Sequence, residues 1–293
     1  MRKLHLFTAA LLLLCIGCNK EENSTTSFVQ NPNTQTITHN NQVREYISYI
    51  PNSYDGSTPV PVVFNFHGYS GSATNHMRSS DMRALADAKN FILVYPQGSF
   101  LNGTSHWNAL PPGANNKSTA DDFGFVEAML QKITTEYAVD ASRIYACGYS
   151  NGGMLAYGLA NYKSELIAAV ASVSGAQLNF NAPTHPMPVL HIHGTSDAVI
   201  PYNGNTFYNS TQAVLTYWIG FNNTVAEPII NSDSSGGLTI EHYAYNQGAN
   251  GVSVEHYKYI EGNHTWFNQT YQGKNTGELI WNFMSKYDLN GLR

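Results

Sequence analysis

A serine stands at the centre of a Gly-x-Ser-x-Gly pattern, with Ser150 in the run Gly148–Gly152. An apolar run, Ile144–Cys147, precedes this pattern, and a helix-like stretch at residues 153–160 follows it. The order of strand, sharp turn and helix is typical of a nucleophile elbow, which holds a serine hydroxyl clear of a sheet. The flanking glycines allow the strand and the helix to pass close together. The pattern therefore predicts a nucleophilic serine, and a plain glycine-rich turn is the alternative.

A serine hydroxyl needs a base to remove its proton, and that base needs an acid to orient its ring. On this kind of scaffold the partners follow the serine in the order acid, then histidine. Asp197 comes after the apolar strand Pro188–His193, at the sheet edge where active sites of open α/β sheets gather. His264 comes shortly after a strand predicted at Val252–Ile260. We expect Asp197 to be the acid and His264 to be the base. The alternative for Asp197 is a residue that only caps a turn, and the alternative for His264 is an ordinary hydrogen-bonding histidine.

Other residues compete for these two roles. Asp233 is the main competitor for the acid, but we expect it to lie in a Ser/Gly-rich loop that no predicted strand precedes. His185 comes before Asp197 and breaks the expected order, while His242 and His256 are embedded in strand patterns. The order of the chain therefore favours Asp197 and His264.

His191 and His193 are two residues apart, so they share one face of a strand and could bind a metal ion. No third ligand stands out in the sequence. We therefore expect neither a metal ion nor another cofactor.

The oxyanion that forms on serine attack needs backbone N–H donors already in place. The amide of Asn151, directly after the serine, is one expected donor. The second should come from the loop His67–Gly71, which follows a strand predicted at residues 60–66 and contains two glycines. We expect the amide of Tyr69 to be this second donor, and a plain glycine turn is the alternative.

Strand and helix patterns alternate along most of the chain and predict a doubly wound, mostly parallel α/β sheet with helices on both faces. Residues 102–120 form a long irregular stretch with two prolines, which is typical of a lid or a binding surface. The predicted strands are 35–39, 45–50, 60–66, 91–95, 144–148, 166–173, 189–193, 238–245 and 252–260, and the predicted helices are 77–90, 122–137, 152–162, 211–221 and 277–287.

Composition limits the classes of ligand. Only 12% of the 293 residues are charged, and the net charge is −5 with no cluster of Lys or Arg. This argues against nucleic acid binding, which needs a basic surface. An uncharged polar surface suits neutral ligands such as sugars or polyesters. Cys147 is the single cysteine of the predicted domain, so we expect a small core residue and no intramolecular disulfide.

The first 18 residues have the features of an export signal. Arg2 and Lys3 precede an apolar stretch at residues 4–16 that is too short to span a bilayer, and Gly17 precedes Cys18 in a sequence that resembles a lipobox. We expect Cys18 to be acylated, residues 19–34 to form a flexible tether, and residues 35–293 to form the catalytic domain. The protein would then sit on an outer membrane or at the cell surface; plain secretion is the alternative.

Seven motifs follow one another along the chain: His67–Gly71, Tyr95–Gly98, Trp107–Asn108, Asp121–Phe125, Gly148–Gly153, His193–Asp197 and Gly262–Trp266. In this order they resemble one family of α/β-hydrolases, the polyhydroxybutyrate depolymerases and feruloyl esterases. The resemblance covers nearly all of residues 35–287 and implies an α/β-hydrolase fold with Ser150, Asp197 and His264 as the catalytic triad. The chain lacks a cysteine pair that many members carry, and Asn263 stands where glycine is frequent, which leaves the acyl preference open. Helix N-capping is an adequate reason for Asp121 and Asp122.

Three aromatic residues, Tyr69, Trp107 and Trp266, lie near the expected cleft and suit stacking on a sugar or phenolic ring, although some could belong to the core. We therefore expect a serine esterase that removes feruloyl or, second, acetyl groups from plant polysaccharide. A hydroxybutyrate oligomer depolymerase is the main alternative. A serine peptidase is another, and a polysaccharide-binding surface lipoprotein without catalysis is an alternative of a different class.

Overall fold

The computed structural model describes residues 33–293. The predicted signal peptide with Cys18, and almost all of the predicted tether, lie outside these residues. The strands are β1 (Asn33–His39), β2 (Gln42–Tyr49), β3 (Val60–Phe66), β4 (Ile92–Pro96), β5 (Ser99–Leu101), β6 (Thr104–His106), β7 (Val139–Tyr149), β8 (Ala169–Val173), β9 (Val189–Gly194), β10 (Ile229–Ser235), β11 (Leu238–Tyr245), β12 (Val254–Tyr259), β13 (Tyr287–Asp288) and β14 (Gly291–Leu292). The helices are α1 (Ala73–Ser79), α2 (Arg83–Lys89), α3 (Asp122–Glu136), α4 (Asn151–Tyr162), α5 (Thr211–Asn222), α6 (Thr276–Met284) and a 3₁₀ turn at Ala249–Gly251.

A ten-stranded sheet runs through the fold in the order β1-β2-β4-β3-β7-β8-β9-β12-β11-β10. The six strands from β4 to β12 in this order pair in parallel, and the strands outside them pair antiparallel. The chain moves from β3 outward to β4 and then returns to β7 on the other side of β3. Such a reversal leaves a crevice at the carboxyl ends of the strands. The prediction of a doubly wound, mostly parallel sheet is confirmed.

Two apolar layers cover the sheet, one on each face. Successive strand residues point to opposite faces, so Val62 and Phe64 join one layer and Val63 joins the other. Helices α3, α4 and α5 cover the first face, and α1, α2 and α6 cover the second. The parallel strands are buried on both sides, which explains their nearly continuous apolar sequences. None of the helices within residues 33–293 is long and apolar enough to cross a membrane.

Several elements differ from the sequence prediction. Strand β6 lies within the predicted irregular stretch 102–120, β7 begins five residues before its predicted start, and the helix predicted at 277–287 ends at Met284. Two further differences have a local explanation. The single helix predicted at 77–90 is two short helices, because Asp81 accepts the backbone amide of Arg83 at 3.0 Å and this local bond competes with a continuous helix. The Ser/Gly-rich segment around Asp233 is the strand β10 and not a loop. As an edge strand with mostly exposed side chains, β10 lacks the apolar alternation that marks a half-buried strand.

Candidate active site

Ser150 lies at the sharp turn between β7 and α4, with φ 54° and ψ −118°. This left-handed backbone is strained for a residue with a Cβ atom, and the amide of Ser150 anchors the turn by donating to the Val173 carbonyl at 2.8 Å. A side chain at Gly148 would overlap the backbone of Gly152, and one at Gly152 would overlap the Phe66 carbonyl. The two glycines are therefore needed where strand and helix pass each other.

The structure brings Ser150, His264 and Asp197 into one line of hydrogen bonds. His264 Nε2 lies 2.9 Å from Ser150 Oγ, and His264 Nδ1 lies 2.7 Å from Asp197 Oδ2. Because the carboxylate accepts at Nδ1, the ring proton resides there and Nε2 is free to accept the serine proton. The three residues follow β7, β12 and β9, so one edge of the sheet positions all of them.

Asp197 is fully enclosed, yet both of its oxygens are satisfied. Oδ1 accepts the backbone amides of Val199 at 2.9 Å and Ile200 at 2.8 Å, and Oδ2 faces two imidazoles, those of His264 and His193. Burial alone raises the pKa of Asp197, but the two imidazoles and the Ile200 amide outweigh it and hold the pKa well below the usual range. The carboxylate is therefore charged whenever the protein is folded at neutral pH.

The competing residues lie elsewhere. Asp233 is partly exposed on β10 and accepts the amides of Ser234 and Gln272. His185 contacts backbone carbonyls, and His242 pairs with Glu255. His256 bonds to the Tyr202 hydroxyl at 2.8 Å.

The two predicted oxyanion donors flank the serine. The amide of Asn151 is at the first position of α4, and Tyr69 lies on the loop after β3. Neither amide has an acceptor within residues 33–293. The loops that carry these amides are close, because a Cβ atom at Gly68 would lie 3.3 Å from that of Ser150. The N-terminus of a helix also favours negative charge.

His67 holds the Tyr69 loop in place, a role that the sequence analysis did not assign. Its Nε2 accepts the amide of Gly98 at 2.9 Å, so the proton is on Nδ1, which donates to the Gly68 carbonyl at 2.7 Å. Burial lowers the pKa of His67 to about 4, which keeps the ring neutral and this bonding pattern intact. The only sequence signal was its position directly before Gly68 at the end of a buried strand.

Trp107 is not available for stacking on a substrate, so that prediction is wrong. Its side chain is only 1% exposed and packs edge-on against Phe66 at 5.3 Å between ring centroids. The indole N–H donates to the His67 carbonyl at 2.8 Å. The side chain of Asn151 binds the backbone N–H and C=O of Trp107 at 2.8 and 3.0 Å. Trp107 therefore contacts both segments that carry the predicted oxyanion donors.

The other two predicted aromatic residues are accessible to different degrees. Tyr69 is 52% exposed, with the Lys117 ammonium 5.0 Å from its ring centroid. Trp266 is half-buried, packs edge-on against His76, and borders a cavity of about 230 Å³ together with Arg78 and other residues.

Asp121 and Asp122 have different roles, although the sequence predicted helix N-capping for both. Asp121 caps α3 by accepting the amide of Gly124 at 3.0 Å. Asp122 is only 1% exposed and accepts both the Arg44 guanidinium and the Asn108 amide at 2.7 Å. This buried ion pair fixes the predicted irregular stretch directly after Trp107.

The histidines that suggested a metal site are engaged with protein groups. His191 contacts the Tyr157 hydroxyl through Nδ1 at 2.8 Å and the Thr211 hydroxyl through Nε2 at 3.2 Å. Within residues 33–293, no group of three or more His, Cys, Asp or Glu side chains is arranged to hold a metal ion.

Comparison with known proteins identifies the family. Residues 55–226, more than half of the chain, match the family model described as phospholipase/carboxylesterase. The chain belongs to the phospholipase/carboxylesterase family. The prediction of an esterase family of α/β-hydrolases is thereby confirmed.

Individual relatives agree with this family. A putative esterase of Nocardia uniformis subsp. tsuyamanensis is 36% identical over 148 residues, which are 49% of this chain and 42% of that protein. A bifunctional acetylxylan esterase/xylanase of Neocallimastix patriciarum is 29% identical over 48% of this chain and 20% of its own length. Feruloyl esterase B of Piromyces equi is 30% identical over 55% of this chain and 30% of its own length. The matches thus span less than half of each of these three relatives.

Among solved structures, the acetyl xylan esterase from Aspergillus awamori superimposes with a TM-score of 0.64, covering 86% of this chain and 99% of the other at 15% sequence identity. At this identity the likeness concerns the fold, and it supports the α/β-hydrolase architecture.

Proposed function

We propose that the protein is an exported serine esterase that hydrolyses carboxylic esters with Ser150 as nucleophile, His264 as base and Asp197 as acid. The observation that carries this proposal is the pair of hydrogen bonds through which His264 joins Ser150 Oγ to Asp197 Oδ2. Membership of the phospholipase/carboxylesterase family supports the reaction class.

In the first half of the reaction, Ser150 Oγ attacks the ester carbonyl while His264 Nε2 takes the hydroxyl proton. The negative charge that develops on the carbonyl oxygen is stabilised by the amides of Asn151 and Tyr69. The tetrahedral intermediate then collapses: the C–O bond to the leaving alcohol breaks, and His264 returns its proton to that alcohol. An acyl-enzyme on Ser150 remains.

In the second half, water attacks the acyl-enzyme while His264 Nε2 again takes a proton. The same two amides stabilise the second oxyanion, the bond from the acyl carbon to Ser150 Oγ breaks, and the proton returns to that oxygen. Asp197 stays ionised throughout, because its four donors stabilise the charged form, and it stabilises the His264 imidazolium that forms twice.

For the substrate we propose ester side-groups on plant polysaccharide, with feruloyl ahead of acetyl. Relatives named as feruloyl esterases and as an acetylxylan esterase/xylanase support this class. The exposed ring of Tyr69 and the cavity beside Trp266 are suited to stacking on a sugar or phenolic ring.

The test is a turnover panel of methyl ferulate, acetylated xylan and hydroxybutyrate oligomers, with Ser150→Ala as the matched control. We expect methyl ferulate to be cleaved most efficiently and Ser150→Ala to lose about four to six orders of magnitude in rate. Efficient cleavage of the oligomers alone would identify a depolymerase instead. Polysaccharide binding with no turnover of any ester would indicate a binding protein, and full activity in Ser150→Ala would refute the proposed chemistry.

We further propose that acylation of Cys18 tethers the enzyme to an outer membrane through the segment 19–34. The lipobox-like sequence at Gly17 and Cys18 supports this location. Mass spectrometry of the mature N-terminus tests it: a diacylated or triacylated Cys18 is expected, and an unmodified start downstream of Cys18 would indicate free secretion.

A further inference from the structure

One carboxylate oxygen of Asp197 is shared by two histidines. His264 Nδ1 lies 2.7 Å from Oδ2, and His193 Nε2 lies 3.2 Å from the same atom. His193 Nε2 also lies 2.9 Å from the Ile200 carbonyl. Both neighbours are acceptors, so the His193 proton is on Nε2; the Ile200 carbonyl is its shorter acceptor, and the Asp197 oxygen is a second, longer one.

We propose that His193 is a positioning residue for the triad: it acts on His264 through Asp197 by weakening the charge that Asp197 presents to the His264 ring. This proposal rests on the proposed function. Its basis is geometric, since the His193 side chain is 2% exposed and that of Asp197 is 0% exposed. In such an enclosed site, a donated N–H withdraws charge from the carboxylate with little screening by water.

One nitrogen of the His193 ring makes both of its polar contacts. Its other nitrogen, Nδ1, is buried without a hydrogen-bond partner within residues 33–293. A histidine that served only to fill space would cost less free energy as an apolar residue, because a buried polar atom without a partner is destabilising. Burial of the unpaired Nδ1 therefore costs free energy of folding, and the contacts of Nε2 with Ile200 and Asp197 must offset this cost.

The consequence concerns the protonation of His264. When His193 donates to Oδ2, Asp197 attracts the His264 imidazolium less strongly than a carboxylate without this donor would. Without His193 the full carboxylate charge faces His264 and stabilises its protonated form. Activity requires neutral His264, so the acid limb of the pH profile of kcat/KM should move to higher pH when His193 is replaced.

The ionisable aromatic side chains that pack around His193 are uncharged and cannot produce this effect themselves. The His191 ring stacks at 5.1 Å, the Tyr202 ring packs edge-on at 5.9 Å, and His256 on β12 packs against both His191 and Tyr202. Burial lowers the pKa of His191 and His256, and it raises the pKa of Tyr202, so all three are neutral at neutral pH. Lys258, the register partner of His193 on β12, is charged and pairs with Glu241 at 2.9 Å, and no variant tested below changes this ion pair. The Tyr149 ring packs 5.1 Å from the His264 ring, and burial raises the pKa of Tyr149, so this side chain is neutral.

The experiment compares wild type with His193→Met, which removes the donor, and His193→Gln, whose side-chain amide can still donate near the position of Nε2. His191→Gln is the matched control, because His191 is equally buried on the same strand face but does not contact Asp197. Two readouts are used on the full mature chain: the pH profile of kcat/KM for p-nitrophenyl acetate, and NMR titration of the His264 ring.

We expect the acid limb and the His264 titration midpoint to move up by about half a pH unit in His193→Met, and to return towards wild type in His193→Gln. His191→Gln should lose stability without either shift. Unchanged midpoints in His193→Met, or an equal shift in His191→Gln, would overturn the inference. The NMR readout does not need turnover, so a wild type that cleaves no ester would refute the proposed function separately.

Discussion

Asp121 and Asp122 offer a sharp test, because the same substitution at two adjacent residues should have very different effects. Asp122 is 1% exposed and holds the guanidinium of Arg44, which is itself 6% exposed. Asp122→Asn would leave that guanidinium buried without its counter-charge. Removing one partner of a buried ion pair costs about 3–5 kcal/mol. Even with one hydrogen bond retained by the Asn oxygen, we expect Asp122→Asn to lower the free energy of unfolding by about 3 kcal/mol.

Asp121→Asn should cost less than about 1 kcal/mol, because Asn is as good an N-cap as Asp and the partly exposed contact with His39 contributes little. Urea unfolding followed by tryptophan fluorescence measures both variants. We also expect Asp122→Asn to lower kcat/KM for p-nitrophenyl acetate, because Asp122 anchors the Asn108 amide beside Trp107. Equal losses of stability in the two variants would refute the assignment of separate roles.

Three further predictions concern strain, acid stability and the acid of the triad. Ser150→Gly should be about 1 kcal/mol more stable in urea than Ser150→Ala, because only glycine adopts φ 54° without strain; equal midpoints would contradict this. Burial lowers the pKa of His67 to about 4 and that of His256 to about 3, whereas both have a pKa of about 6.5 in the unfolded chain. The stability that the neutral rings contribute is therefore fully present above pH ~6.5 and is lost as the pH falls towards the folded pKa values. The loss is up to about 1.4 kcal/mol per pH unit for each ring. His256→Gln should flatten this slope in urea titrations, and an unchanged slope would count against the buried neutral form. Asp197→Asn should lower kcat by about four orders of magnitude in steady-state assays, whereas Asp233→Asn should leave it unchanged; the reverse outcome would identify Asp233 as the acid.

The sequence predicted the fold where burial on both faces or regular periodicity left a strong pattern. Strand β3 and helix α3 lie within one residue of their predicted bounds, because a parallel strand is apolar throughout and an amphipathic helix repeats every turn. The edge strand β10 carries neither pattern, since it is exposed and is held by backbone pairing with β11.

For the site, chain order and the ends of predicted strands were enough to group Ser150, Asp197 and His264, which the structure places in hydrogen-bond contact. The supporting residues could not be found in this way. The burial of Trp107 and the hydrogen bonds of Asp122 depend on contacts between segments far apart in the chain, such as β2 with the start of α3. No local pattern distinguishes Asp122 from its neighbour Asp121, because both fit a helix start equally well.

The central claim, that Ser150 is the nucleophile, is tested most directly by covalent labelling. The mature protein is treated with a fluorophosphonate, digested, and mapped by tandem mass spectrometry. We predict one phosphonyl group per chain, on Ser150, and no labelling in Ser150→Ala. A protein that remains unlabelled, or one that is labelled at another serine to the same extent in Ser150→Ala, would contradict the account.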